Sequence, residues 1–100
     1  MRAVAIVSPR ATRHLDEIVE NLADRSPERA EEFLQLVRMR IEQLEQFPES
    51  GSIYRGSIRR LLLLHFPYSL FTIFDEATNT VTVLGCFHDK SNPQTWRVTP

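Results

Sequence analysis

The stretch IRRLLLLHFPYSLFTIFDEATNTVTVLGCFHDKSNPQTW, residues 58–96, decides the fold. Leu61, Leu62, Leu63 and Leu64 open it as an apolar strand, which Phe66-Pro67 ends. Tyr68 begins a second strand carrying Leu70, Phe71, Ile73 and Phe74. Glu76-Ala77-Thr78-Asn79 supplies turn chemistry. Thr80 to Leu84 then alternate as a β-branched third strand. Beyond it lies a polar segment with His88, Asp89, Lys90 and Asn92, closed by Trp96. Strands this apolar need an amphipathic cover, and the first half of the chain provides one.

Residues 2–7 form a short apolar run, read as a strand. Ser8-Pro9 places a helix cap before the residue favoured at the first helical position. Ala11, Leu15, Ile18, Val19 and Leu22 then recur at helical spacing, to about Arg25. Ser26-Pro27 repeats the start signal. Ala30, Phe33, Leu34, Val37, Ile41 and Leu44 carry a second stripe, which stops at Phe47-Pro48. So short a break between helices predicts an αα-hairpin. Gly51 and Gly56 mark a loop in which Ile53 and Tyr54 start a short strand. The expected fold is α+β, with the helical hairpin packed on one face of a small, mainly antiparallel sheet in the order β-α-α-β-β-β.

One hundred residues predict a single domain spanning 1–100. A formal net charge of −1 argues against a protein that grips nucleic acid through phosphates over a wide surface. The lone Cys86 reads as a buried thiol in a reducing compartment, so the expected location is the cytoplasm. No segment is long enough to span a bilayer, and no membrane partner is expected. Phosphate-loop, zinc-ligand and nucleophile-elbow signatures are absent, and the spacing of His14, His65 and His88 suits no metal. Neither a metal nor another cofactor is expected.

Chemistry-bearing residues gather around the meander. Arg55, Arg59 and Arg60 precede or open its first strand, Tyr68 opens the second, and His88 and Lys90 follow the third. Such types suit RNA cleavage by 2′-OH attack, which needs a base, an acid and a cation. They equally suit a loop cap, a packed ring and a solubilised sheet edge. Strand alternation puts Leu61 and Leu63 on one face and Leu62 and Leu64 on the other. One pair therefore faces away from the helices; Leu61 and Leu63 are taken as partner-binding, with Trp96 as plug or anchor.

Ser8-Pro9-x-Ala11, Phe47-Pro48-x-x-Gly51, Ile58-Arg59, Pro67-Tyr68, and His88 followed by Asn92-Pro93 and Trp96, taken in order, resemble the RelE/ParE superfamily of type II toxin–antitoxin toxins. The uninterrupted helical stripes and low charge resemble its ParE branch more closely. That resemblance implies a toxin that inhibits growth by binding DNA gyrase and is neutralised by a cognate antitoxin. The alternative it carries is a RelE-type, ribosome-dependent mRNA endonuclease with His88, Tyr68, Arg59 and Lys90 as catalytic residues. A second alternative is a non-toxic antitoxin-binding member. Ser91 stands where the superfamily often has an arginine three residues after the histidine. Thr72 stands where many members have a second tyrosine. Both departures weaken the nuclease reading.

Overall fold

The computed structural model describes residues 1–91. Strand β1 (Val4–Val7) leads into helices α1 (Pro9–Arg25) and α2 (Pro27–Gln46). Strands β2 (Ser52–Arg55), β3 (Ile58–Leu63), β4 (Tyr68–Asp75) and β5 (Thr80–His88) follow. The helical hairpin on a mainly antiparallel sheet is as the sequence predicts, and β2 adds a short strand at Ile53 and Tyr54. Strand order is β1-β5-β4-β3-β2. Only β1 pairs in parallel, with Val4 opposite Thr80 and Val7 opposite Val83.

Single serines set the helix boundaries. Ser8 Oγ accepts the Ala11 N–H at 3.1 Å and donates to the Leu84 carbonyl at 3.2 Å. Its amide donates to Val83 at 3.0 Å, so one residue ends β1 and starts α1 against β5. Ser26 closes α1 through its N–H to Leu22 at 2.7 Å and caps α2 by accepting the Arg29 N–H at 3.3 Å. Each cap satisfies a helix-end amide that would otherwise be orphaned.

The two apolar stripes meet one face of the sheet. Ile18, Phe33, Val37 and Leu44 are buried together with Leu61, Leu63, Leu70, Val81, Val83 and Cys86, while Leu15, Leu22 and Ile41 pack around them. Phe33 is fully buried and stands edge-on to Phe66 and Tyr68, with ring centroids 5.2 and 5.9 Å away. The opposite face carries a smaller cluster of Ile58, Phe71 and Leu84 with Tyr54, Ile73 and Phe87.

β5 runs beyond Leu84, where the β-branched pattern ends, as far as His88. Phe71 pairs with Gly85 and Thr72 with Val83, so Leu84 is an extra residue in a bulge. The bulge re-phases the strand and returns Cys86 to the helix side. A Cβ on Gly85 would meet the Phe87 ring at 2.9 Å and His14 at 3.2 Å, so the close approach of α1 requires glycine there.

The core has one flaw. Thr72 is 1% exposed, and its hydroxyl has no hydrogen-bond partner among the described residues. A buried unpaired hydroxyl is costly, whereas a methyl there is not. Thr72→Val is therefore expected to stabilise the fold by about 1 kcal/mol, raising Tm by about 5 °C for a domain of this size. Thermal denaturation of the two proteins measures it.

Candidate functional site

The meander brings some of the sequence-marked residues together and separates others. Tyr68 opens β4 and pairs across the sheet with His88, the last residue of β5. Their rings meet edge to face, 5.2 Å between centroids. The Asp89 amide donates to the Pro67 carbonyl at 2.8 Å, which fastens the chain just past His88 to the start of β4. His88 Nδ1 accepts the Lys90 N–H at 3.0 Å. That contact directs the Nδ1 lone pair at the Lys90 amide. Lys90 thus meets His88 through its backbone.

Arg59 lies elsewhere. It pairs with Thr72 on β4, four residues along the strand from Tyr68, a distance of about 13 Å at strand rise. Its guanidinium donates to the Gly51 carbonyl at 3.2 Å and meets Glu49 at 3.4 Å. Arg60 is the arginine that reaches the β5 terminus. Its Nε donates to Ser69 Oγ at 3.0 Å and its NH2 meets Asp89 Oδ1 at 3.0 Å, while Ser69 itself donates to Asp89. Ser69 is buried, and this triad ties β3, β4 and the end of β5 together. The pattern Arg60, Ser69, Asp89 carries no sequence signal beyond a basic residue at the strand start. It emerges only from the β3–β4 register, in which Leu62 faces Ser69.

A cavity of about 90 Å³ lies beside the triad, lined by Tyr54, Arg60, Phe71, Phe87 and His88. That is well below the roughly 300 Å³ at which small-molecule sites begin. Burial, reinforced by the Asp89 carboxylate, pushes the Cys86 thiol up to about 12, so it stays protonated and is a poor nucleophile. Among the described residues no cluster of His, Cys, Asp and Glu is arranged to hold a metal. No helix among them is long and apolar enough to cross a membrane.

The proposed partner residues divide as well. Leu61 and Leu63 point into the helix-side core, 7% and 1% exposed, so in the free chain they are packing residues. Leu62 and Leu64 are the exposed pair, at 48% and 54%. Trp96 lies outside the described residues.

The model of the ParE toxin of type II toxin–antitoxin systems (parDE) matches residues 5–93. The chain belongs to the ParE toxin family. Among solved structures, this ParE-family chain is similar to the chromosomal ParDE toxin–antitoxin system from P. aeruginosa. That match has a TM-score of 0.74 at 19% identity, covering 87% of this chain and 96% of the other. It is also similar to the toxin–antitoxin complex RelBE2 from Mycobacterium tuberculosis, with a TM-score of 0.60 at 16% identity, covering 88% and 92%. At such identities the likeness is one of fold. A search of curated proteins finds no match.

His14 is the other histidine that the sheet engages. Its Nδ1 accepts the Cys86 N–H at 3.2 Å, and its ring lies 4.9 Å from that of Phe87. Burial lowers its pKa below 6.5, helped by Arg10 and Arg13 and opposed by Glu17. The native state therefore resists protonation while the unfolded chain takes up a proton as pH falls through 6.5. The His14 contribution is complete above that value and is lost progressively below it. Denaturant titrations from about pH 7 to about pH 5 are expected to show a stability loss whose slope is shallower in His14→Ala.

Proposed function

We propose that this ParE-family chain is a growth-inhibiting toxin that binds DNA gyrase, and that a cognate antitoxin neutralises it. One observation carries the choice of binding over RNA cleavage: the arginines a nuclease would use are already engaged within the fold. Arg59 is held by Glu49 and Gly51, Arg60 is held by Asp89, and His88 Nδ1 accepts the Lys90 backbone N–H. Such a reaction depends above all on electrostatic stabilisation of the charge that builds on the phosphate, and an arginine already paired with a carboxylate supplies little of it. A toxin so arranged acts through its surface.

For the antitoxin, the outer edge of β3 is the surface we favour. β2 pairs with β3 only from Ile58 to Arg60. Past that point the Leu62 carbonyl is met by Arg40 Nε at 3.2 Å, a side chain that an incoming strand can displace. Leu62 and Leu64, with Met39 of α2, line this edge with exposed apolar surface. An extended segment adding to the edge gains main-chain hydrogen bonds and two apolar contacts.

Induction without antitoxin is expected to switch on a DNA-damage reporter, and the purified chain to inhibit supercoiling by gyrase. His88→Ala should behave like the wild type in both assays. Codon-positioned mRNA cleavage that vanishes in His88→Ala would overturn the proposal. The antitoxin surface has its own check. The double variant Leu62→Asp with Leu64→Asp is expected to keep its fold by circular dichroism and to bind antitoxin at least about tenfold more weakly. Leu61→Asp, which buries a carboxylate, should unfold.

A further inference from the structure

The sheet face opposite the helices carries a row of side chains set square across four strands. Ile6 of β1 pairs with Thr82 of β5, Thr82 with Ile73 of β4, and Ile73 with Ile58 of β3. Paired residues project from the same face, so these four form one line about 14 Å long at normal strand spacing. Its β1 end is open, with Ile6 47% and its neighbour Val4 58% exposed. Along one side runs a groove of about 810 Å³ lined by Ile73, Thr82, Leu84, Ala77, Asp75 and Glu76. Ile73, Phe74, Ala77 and Leu84 give it apolar surface beside the hydroxyls of Ser57 and Thr82, and the ionisable groups in its lining are both carboxylates. Asp75 accepts its own turn amide from Ala77 at 3.0 Å, whereas the Glu76 carboxylate has no partner among the described residues. Arg2, beside β1, is engaged by Glu45 of α2 at 3.3 Å.

We infer that this face docks an amphipathic helix of a partner protein, lying across the strands along the Ile6–Thr82–Ile73 row, with lysine or arginine on the flank that meets Asp75 and Glu76. A helix is about 10 Å across with its side chains, which matches the row and groove together. A strand is disfavoured, because the row lies on the face of the sheet and not along an unpaired edge. A small ligand would be held poorly by so open a floor. A second copy of this chain would bring its own carboxylates against Asp75 and Glu76, which opposes self-association through the face. The inference deepens the target-binding proposal by giving it a surface separate from the β3 edge. It rests on that proposal only for its cellular consequence.

The probe is a designed amphipathic peptide of about 18 residues, five turns of helix, with leucines at helical spacing and lysines on one flank. A counterpart has glutamate in place of lysine. Titrated into isotopically labelled protein, the lysine peptide is expected to shift the amides of Ile6, Ile73, Thr82 and Leu84. Glu76→Lys and Ile6→Ser should each weaken it by about tenfold, the scale of a lost charge pair or apolar anchor. Equal binding of the glutamate peptide, shifts centred on Leu62 and Leu64, or dimerisation lost in Ile6→Ser would overturn the inference. In cells, Glu76→Lys should lose growth arrest while still binding antitoxin; full arrest by that variant also overturns it. If the wild type causes no arrest yet the lysine peptide binds as described, the toxin proposal fails and the docking face stands.

Discussion

Burial of the helix-side residues of β4 is the constraint on which the rest of the molecule depends. Leu70 is fully buried, with Leu61 opposite on β3 and Cys86 opposite on β5. α1 and α2 are stable chiefly because their stripes have this surface to cover, packing of an apolar face supplying most of a helix's stability in a protein. Removal of apolar surface from water drives that contact, and the directional groups adjust to it. The Leu84 bulge is one such adjustment, since without it the end of β5 would turn Cys86 outward and Phe87 into the helices. Ser8 and His14 then supply the hydrogen bonds that the bulged edge of β5 lacks, which lets α1 sit directly on the strand.

The arginines follow the same logic. Arg29 donates to the His65 carbonyl at 3.1 Å and lies over the Phe66 ring at 4.1 Å. It thereby steadies a turn in which His65 has the unfavourable backbone angle φ of 74°. Arg40 does the same for the Leu62 carbonyl and Arg59 for Gly51. Gly51 itself is at φ 92°, and a side chain there would strike the Arg60 carbonyl. Three guanidinium groups thus cover backbone carbonyls along and just past the later half of β3. Charge that reads in the sequence as a basic rim facing solvent is largely consumed by the sheet.

Helix limits and the apolar faces were legible because they depend on local chemistry: Ser-Pro caps, stripes at helical spacing and β-branched alternation. Leu15, Ile18, Leu22, Phe33, Val37, Ile41 and Leu44 all pack inward, as their spacing predicts. Which leucine pair faces the helices was not legible. A run of four leucines satisfies both phases of a strand, and only the register with Leu70 and Tyr68 turns Leu61 and Leu63 inward. The arrangement around the candidate site was not legible for a related reason. Arg59 and Arg60 are adjacent in sequence yet project from opposite faces, so neighbours of identical chemistry meet Glu49 in one case and Asp89 in the other. Membership of the ParE family could be read because it is carried by order and spacing along the chain, which need no knowledge of register.

The parallel pairing of β1 has a bearing on how the chain is made. Val4 to Val7 are made well before their partners, Thr80 to Val83, which follow only after both helices and the rest of the meander. The helical hairpin can assemble from contacts close in sequence, but the sheet cannot close until β5 has been made. The Ile6–Thr82–Ile73 row is consequently absent from every chain that stops short of β5. A translation product stopped short of β5 lacks both the strand on which α1 packs and that row. Biosynthesis itself thus sets a delay between forming the helical hairpin and completing the sheet that it covers.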